Sequence, residues 1–198
     1  VGGGLMLPRY VNGVKNHGLW AVWVLVTVFG MIFTCAIFAW FFLWGGRPDA
    51  WPPAGIAPPQ TWSLILAGVL MAASAASTGY AQRLLPDPGR SPRRFVAMQT
   101  AGLVLLGAAF AIELAGRWAV VPSETSYGAM TYLFSFLNGQ LIAALAIFGM
   151  FNIVAVIRGR IYRAKRGGQQ CLTLLWSYLA VQAIVSYAIL GGWAGVTL

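Results

Sequence analysis

Acidic residues are scarce: 198 residues hold four Asp and Glu against thirteen Lys and Arg. Charged residues reach only 9%, where a soluble domain carries about 25%. That deficit argues for a membrane protein. The formal net charge of +9 has the right sign for nucleic acid. However, the cations sit in short clusters between long apolar runs. Neither a basic face nor an aromatic-studded basic groove is present, so nucleic acid is excluded as a partner.

Metal-binding chemistry is equally thin. The single histidine, His17, lies in the N-terminal tail. Haem or copper held within a membrane needs imidazole or thiolate ligands, and Cys35 alone cannot supply a set. A Gly-rich phosphate loop, paired carboxylates and a Ser/His/Asp set are also missing. The expectation is a chain with no redox cofactor and no metal of its own, catalysing nothing by itself. Cys35 and Cys171 fall at different depths in the topology below, which argues against a disulfide. No signal peptide with a small-residue cleavage site is visible, and the first apolar run is too long for a signal's core.

What is present in abundance is apolar sequence, 59% of all residues. A membrane span needs about 20 mostly apolar residues. Five runs qualify: 19–44, 61–81, 95–121, 128–157 and 171–193. None alternates with the period of two that a barrel strand requires. The predicted fold is all-α: a polytopic membrane protein of five transmembrane helices after a tail at 1–18.

The connections set the expected orientation. Arg9 and Lys15 precede the first span. Arg83, Arg90, Arg93 and Arg94 follow the second, and Arg158, Arg160, Arg163, Lys165 and Arg166 follow the fourth. These are eleven of the thirteen basic residues; only Arg47 and Arg117 fall on the other side. By the positive-inside rule the N-terminus is cytoplasmic and the C-terminus outside. The basic runs read as anchors at the lipid surface. The loop GGRPDAWPPAGIAPPQ carries five prolines, Pro48, Pro52, Pro53, Pro58 and Pro59. It cannot be helix and should form an ordered, extended cap, with Trp51 and Trp62 at the membrane interface.

Two spans show packing faces. In the second, Gly68, Ala72, Ala76 and Gly79 recur three or four apart, a small-residue ridge that permits close helix approach. Ser74, Ser77 and Thr78 can return their hydroxyls to their own backbone and imply no site. In the fourth, Gly128, Thr131, Ser135, Asn138, Ala146, Gly149 and Asn152 lie within about 120° of one another at 100° per residue. Ile142 interrupts this small and polar stripe. Asn138 is thus expected to bond across to another helix, worth about 0.5–2 kcal/mol. Gln140, about 200° further round, needs a different partner.

Glu113 is the one acid inside a span, with Arg117 at i+4 in the favourable orientation. The plain expectation is a local ion pair with Arg117 snorkelling outward. The functional alternative is a lipid-headgroup or intramembrane polar site made by Glu113, Arg117, Asn138 and Gln140.

WPPAGIAP at Trp51–Pro58 resembles the W-P-P-x-G-I-x-P loop of subunit III of the haem-copper cytochrome c oxidases. FAWFF before it resembles that family's F-F-A-G-F-F-W run. Ala73-Ser74 and Tyr80-Ala81-Gln82 resemble its A-S-G…W-A-H segment, and Tyr127-Gly128 resembles the Y-G-S that opens its long helix, which Arg158 closes. Five spans fit the shorter bacterial form of the subunit. There are departures. The family's intramembrane glutamate falls at Thr34 or Cys35. F-H-G-L-H falls at Leu137-Asn138-Gly139-Gln140-Leu141, and W-H-F-V-D at Trp176-Ser177-Tyr178-Leu179-Ala180. Glu113 keeps the place of the glutamate in Q-x-x-E-Y, with a slip of one.

The resemblance implies a cofactor-free subunit that supports assembly, stability and lipid binding in a terminal oxidase. Its partners would be the catalytic subunit I, which carries haem and copper, the other oxidase subunits, and membrane lipids including bound phospholipid. The donor would be cytochrome c or quinol, and the location a bacterial or archaeal cytoplasmic membrane. An accessory subunit of a nitric oxide reductase is the related alternative. A free-standing small transporter or lipid-binding protein is the unrelated one.

Overall fold

The computed structural model describes residues 17–46, 48–117, 120–121 and 123–191. The tail with Arg9 and Lys15, Arg47 in the first loop, and Trp193 at the end of the fifth span lie outside the described residues. Among the described residues the chain is helical, with five helices long and apolar enough to cross a membrane. They are α1 (His17–Gly46), α2 (Thr61–Arg83), α3 (Arg93–Ala115), α4 (Ser126–Ile157) and α5 (Gly167–Leu190). Among the described residues β pairing is limited to one isolated bridge, Tyr162 with Lys165.

Helix pairing defines the bundle. The α2–α3, α3–α4, α4–α5 and α5–α2 contacts close a four-helix ring, and α1 packs outside it on α4 and α5. In lipid such pairing depends on close packing and interhelical hydrogen bonds rather than on hydrophobic burial. α1 packs through Phe33, Ala36 and Trp40, and its side-chain hydrogen bonds among the described residues, from Thr27 and Thr34, stay within the helix. It leaves Trp20, Trp23, Val24, Met31, Phe38 and Phe42 exposed, as a lipid-facing helix would. At 1.5 Å per residue the 32 residues of α4 extend about 48 Å, well beyond an apolar layer of about 30 Å.

The third span stops at Ala115, not at 121 as the apolar run predicted. Gly116 caps it, donating to Ile112 O at 3.1 Å. A Cβ at Gly116 would stand 2.9 Å from Ser63 Oγ, so only glycine lets the end of α3 approach the start of α2 this closely. α4 begins with a proper cap, the Thr125 hydroxyl accepting from Gly128 N at 3.0 Å.

The Pro-rich loop differs from its prediction in containing a short 3-10 turn at Pro48–Ala50. Trp51 is buried against protein, edge-on to Trp40 at 5.1 Å and to Tyr127 at 5.3 Å. Each such aromatic pair contributes about 0.5–1.5 kcal/mol beyond the area it buries, so the loop is clamped onto the ends of α1 and α4. Trp62 remains exposed, its indole N–H donating to Gln60 Oε1 at 2.7 Å.

At the opposite end the two basic loops are joined. Arg163 N donates to Pro86 O at 3.0 Å. Gly89 and Gly159 take positive φ of 85° and 67° there, which lets both chains turn without a Cβ clash. Cys35 and Cys171 are free.

Candidate functional site

The small-residue ridge of α2 is the first sequence expectation to be displaced. Ala72 and Ala76 are exposed, and Gly68 and Gly79 only half-buried. The face that α2 gives to α3 lies about one residue round the helix and carries Ser74, Ser77, Thr78 and Ala81. Ser74 Oγ donates to Gly102 O at 2.7 Å and Ser77 Oγ to Met98 O at 2.7 Å. These hydroxyls therefore cross to α3 instead of returning to their own helix. Small size and spacing identify a smooth face but do not say which neighbour uses it. Hydroxyls that meet a carbonyl across the gap stabilise the alternative face. Gly68 and Ala72 instead open onto a groove of about 630 Å³ between α2 and α5, lined also by Leu64, Val69, Ile184 and Tyr187.

The α4 stripe lies where the spacing puts it. Gly128, Thr131, Ser135, Asn138, Gly149 and Asn152 all face the interior, with Ala146 half-buried. Gln140 does not join them. It is exposed in the groove between α3 and α4, beside Phe110 and Gly139. It makes no side-chain hydrogen bond among the described residues, so the expected second partner for it is not found there.

Towards the end of the bundle that bears the Pro-rich loop, this stripe meets α3 and α5 in one polar cluster. Glu113, on the last turn of α3, is 1% exposed, and so is Arg117. Arg117 Nη1 stands 3.2 Å from Glu113 Oε1, so the ion pair forms. The outward snorkelling expected of Arg117 does not occur. Because α3 ends at Ala115, the Arg117 backbone is already turning, and the guanidinium points inward. Its Nη1 donates to Thr131 O at 3.0 Å and also to Ser135 Oγ. From α5, Tyr187 donates its hydroxyl to Glu113 Oε2 at 2.6 Å. Ser135 and Asn138 stand beside the Glu113 carboxyl. Gln182 of α5 donates from Nε2 to Asn138 Oδ1 at 3.1 Å, which is the interhelical amide bond expected of Asn138.

The electrostatics explain why the partners are needed. A lone buried charge costs several kcal/mol even after relaxation, and a pair recovers this only with good geometry and further hydrogen bonds. Here the pair is neutral overall, and Thr131, Ser135 and Tyr187 supply such bonds. No three His, Cys, Asp or Glu side chains among the described residues stand together as metal ligands would.

A second polar cluster lies nearer the basic end. Asn152 Nδ2 donates to Gln169 Oε1 at 3.3 Å, and Gln169 Nε2 to Gln99 Oε1 at 3.1 Å, tying α4, α5 and α3 together. Gly149 makes room beside it, since a Cβ there would meet Leu103 at 3.0 Å and the Trp176 ring at 3.3 Å. Between the clusters the Trp176 indole donates to Ser74 Oγ at 2.8 Å.

Tyr187, Gln182, Gln169 and Gln99 were not read as site residues from the sequence. A signal was present on α5. Gln169, Leu172, Trp176, Leu179, Ala183 and Ser186 recur three and four apart and are all buried, so the polar members of that helix lie on or beside its packing stripe.

No protein-family model matches this chain, and no curated protein sequence matches it.

Proposed function

We propose that this chain is a cofactor-free, subunit III-like component of a respiratory haem-copper terminal oxidase. It would lie in a bacterial or archaeal cytoplasmic membrane with its N-terminus inside, where the basic loops place it by the positive-inside rule. One observation carries the reading. Two separate segments of the resemblance, WPPAGIAP and Tyr127-Gly128, supply Trp51 and Tyr127, whose rings meet at 5.3 Å; Trp40, which stands where the family's run has glycine, packs on both. Residues that resemble a family in sequence order thus also depend on one another in space.

The role fits the remaining surface. Glu113 and Arg117 are turned into the bundle and paired with each other, while large apolar side chains of α1, α2 and α4 face outward. Such a body can pack against a catalytic subunit and hold phospholipid chains along its apolar groove between α2 and α5. It would support assembly and stability there, with oxygen reduction and proton translocation belonging to the haem- and copper-bearing partner.

The test is purification of the assembled complex in mild detergent, followed by identification of its chains and its optical spectrum. A haem-bearing partner with oxygen-reducing activity from cytochrome c or quinol supports the proposal. Nitric oxide turnover in place of oxygen turnover moves the chain to the nitric oxide reductase alternative. Solute uptake by the isolated chain in liposomes, with no haem-bearing partner, overturns both.

A further inference from the structure

Four polar atoms around the ion pair have no hydrogen-bond partner among the described residues: Arg117 Nε and Nη2, Asn138 Nδ2 and Gln182 Oε1. Their side chains belong to residues no more than 2% exposed. The other polar atoms of these groups and those of Glu113 are engaged, in the contacts Arg117–Glu113, Arg117–Ser135, Tyr187–Glu113 and Gln182–Asn138. The orphaned atoms therefore belong to one continuous cluster shared by α3, α4 and α5. Three are donors and one is an acceptor.

Buried polar groups are nearly always satisfied, and each one left bare costs free energy comparable to a lost hydrogen bond. The chemistry of the missing partner follows from charge and access. A second anion on the free Arg117 edge would be uncompensated, because Glu113 already neutralises that guanidinium. A lipid headgroup cannot reach a side chain that is 1% exposed. What remains is a small neutral molecule that both donates and accepts. Water does so, and typically makes about three hydrogen bonds in a buried site.

We infer that the Glu113–Arg117–Asn138–Gln182 cluster is an internal water site between α3, α4 and α5. Water there accepts from Arg117 and Asn138 and donates to Gln182. The position allows filling. Arg117 directly follows Gly116, the cap of α3, so the cluster lies beside the loop that leaves that helix. A groove of about 420 Å³ between α3 and α4 borders Ser135, the hydroxyl that holds Arg117. The cluster near the basic end is different in kind, since Gln99 Nε2 is its one unpartnered atom and a single donor makes no water site. The inference is independent of the proposed function.

Radiolytic labelling tests it. The full-length chain in lipid nanodiscs is exposed to a short X-ray pulse, which generates hydroxyl radicals from water in place. Modification is then read residue by residue by mass spectrometry. Tyr187, which bonds Glu113, is the reporter. Trp176 is the internal control, fully buried where Tyr187 also borders the α2–α5 groove, and with its N–H satisfied by Ser74. The expected result is Tyr187 labelling several-fold faster than Trp176. Equal labelling of the two overturns the site. In a Glu113→Leu/Arg117→Met double variant, Tyr187 should fall to the rate of Trp176. Undiminished Tyr187 labelling in that variant shows that the water lies elsewhere and also overturns the inference. If the variant unfolds, both residues label strongly, and the comparison within the wild-type protein decides alone.

Discussion

Tyr187 of α5 and Glu113 of α3 share a 2.6 Å hydrogen bond, and Glu113 Oε1 in turn faces Arg117 at 3.2 Å. One carboxylate thus receives α5 on one oxygen and, through Arg117, α4 on the other. The bundle is tied around a charge pair, not merely around apolar contacts.

Breaking that pair from one side should be worse than removing it whole. Glu113→Leu leaves Arg117 buried without its counter-charge, and loss of one partner of a buried pair costs about 3–5 kcal/mol. Glu113→Leu combined with Arg117→Met removes both charges and should be less destabilised than Glu113→Leu alone. Equilibrium unfolding in mixed detergent measures both, and the coupling between the sites is read from the complete mutant cycle.

Tyr187→Phe preserves the ring and removes only the hydroxyl. A hydrogen bond to a charged group is worth about 1.5–3 kcal/mol, so the variant should lose roughly that much in the same unfolding measurement. Tyr132→Phe is a suitable comparison. The Tyr132 hydroxyl reaches Arg117 O only at 3.5 Å, at the limit of a hydrogen bond, so its loss should be within about 0.5 kcal/mol.

Asn138→Leu should cost about 0.5–2 kcal/mol by severing α4 from α5 at Gln182. Because the two amides act as a pair, Gln182→Leu added to it should cost less than the sum of the single changes. In an assembled complex, Asn138→Leu should loosen association with the partner more than it alters turnover. Pull-down yield and turnover per assembled complex separate these effects.

Glycines test which face of α2 is used. A Cβ at Gly102 would lie 2.7 Å from Thr78 Oγ1 and 3.4 Å from Ser74 O. Gly102→Ala should therefore destabilise by about 1–3 kcal/mol through overpacking. A Cβ at Gly79 meets nothing within 4 Å, so Gly79→Ala should be neutral or slightly stabilising in the isolated chain. Thermal denaturation of the two variants compares them directly.

The contrast between Gly102 and Gly79 shows what the sequence makes legible. The five spans could be read because length and apolar content are one-dimensional properties, and a bilayer imposes a length on them. The α4 stripe could be read because polar side chains in hydrocarbon must face protein, so Asn138 and Asn152 fix its direction. The end of α3 could not. Val120 and Val121 continue the apolar run, and nothing local reveals that the helix stops at Ala115. The α2 ridge failed for a related reason. Gly and Ala allow close approach on any side, and the choice was made by Gly102 and Met98 carbonyls that accept from Ser74 and Ser77. Tyr187 and Gln182 escaped notice because both residue types are also at home near membrane interfaces. Only the position of Glu113 and Asn138 across the bundle gives them partners.

The orientation can be decided in intact cells. The loop before α2 and the loop before α3 lie at opposite ends of the bundle, and Ala57 and Ser91 are exposed in them. In a background with Cys35→Ala and Cys171→Ala, a single cysteine is placed at each position in turn. The basic cluster Arg83, Arg90, Arg93 and Arg94 flanks Ser91, so the positive-inside rule predicts a cytoplasmic position for that loop. A membrane-impermeant maleimide added to whole cells should label Ala57→Cys and leave Ser91→Cys untouched until the membrane is opened. The reverse pattern would invert the bundle and place the Glu113 cluster at the cytoplasmic end. Labelling of both without permeabilisation would show that the chain does not adopt one orientation.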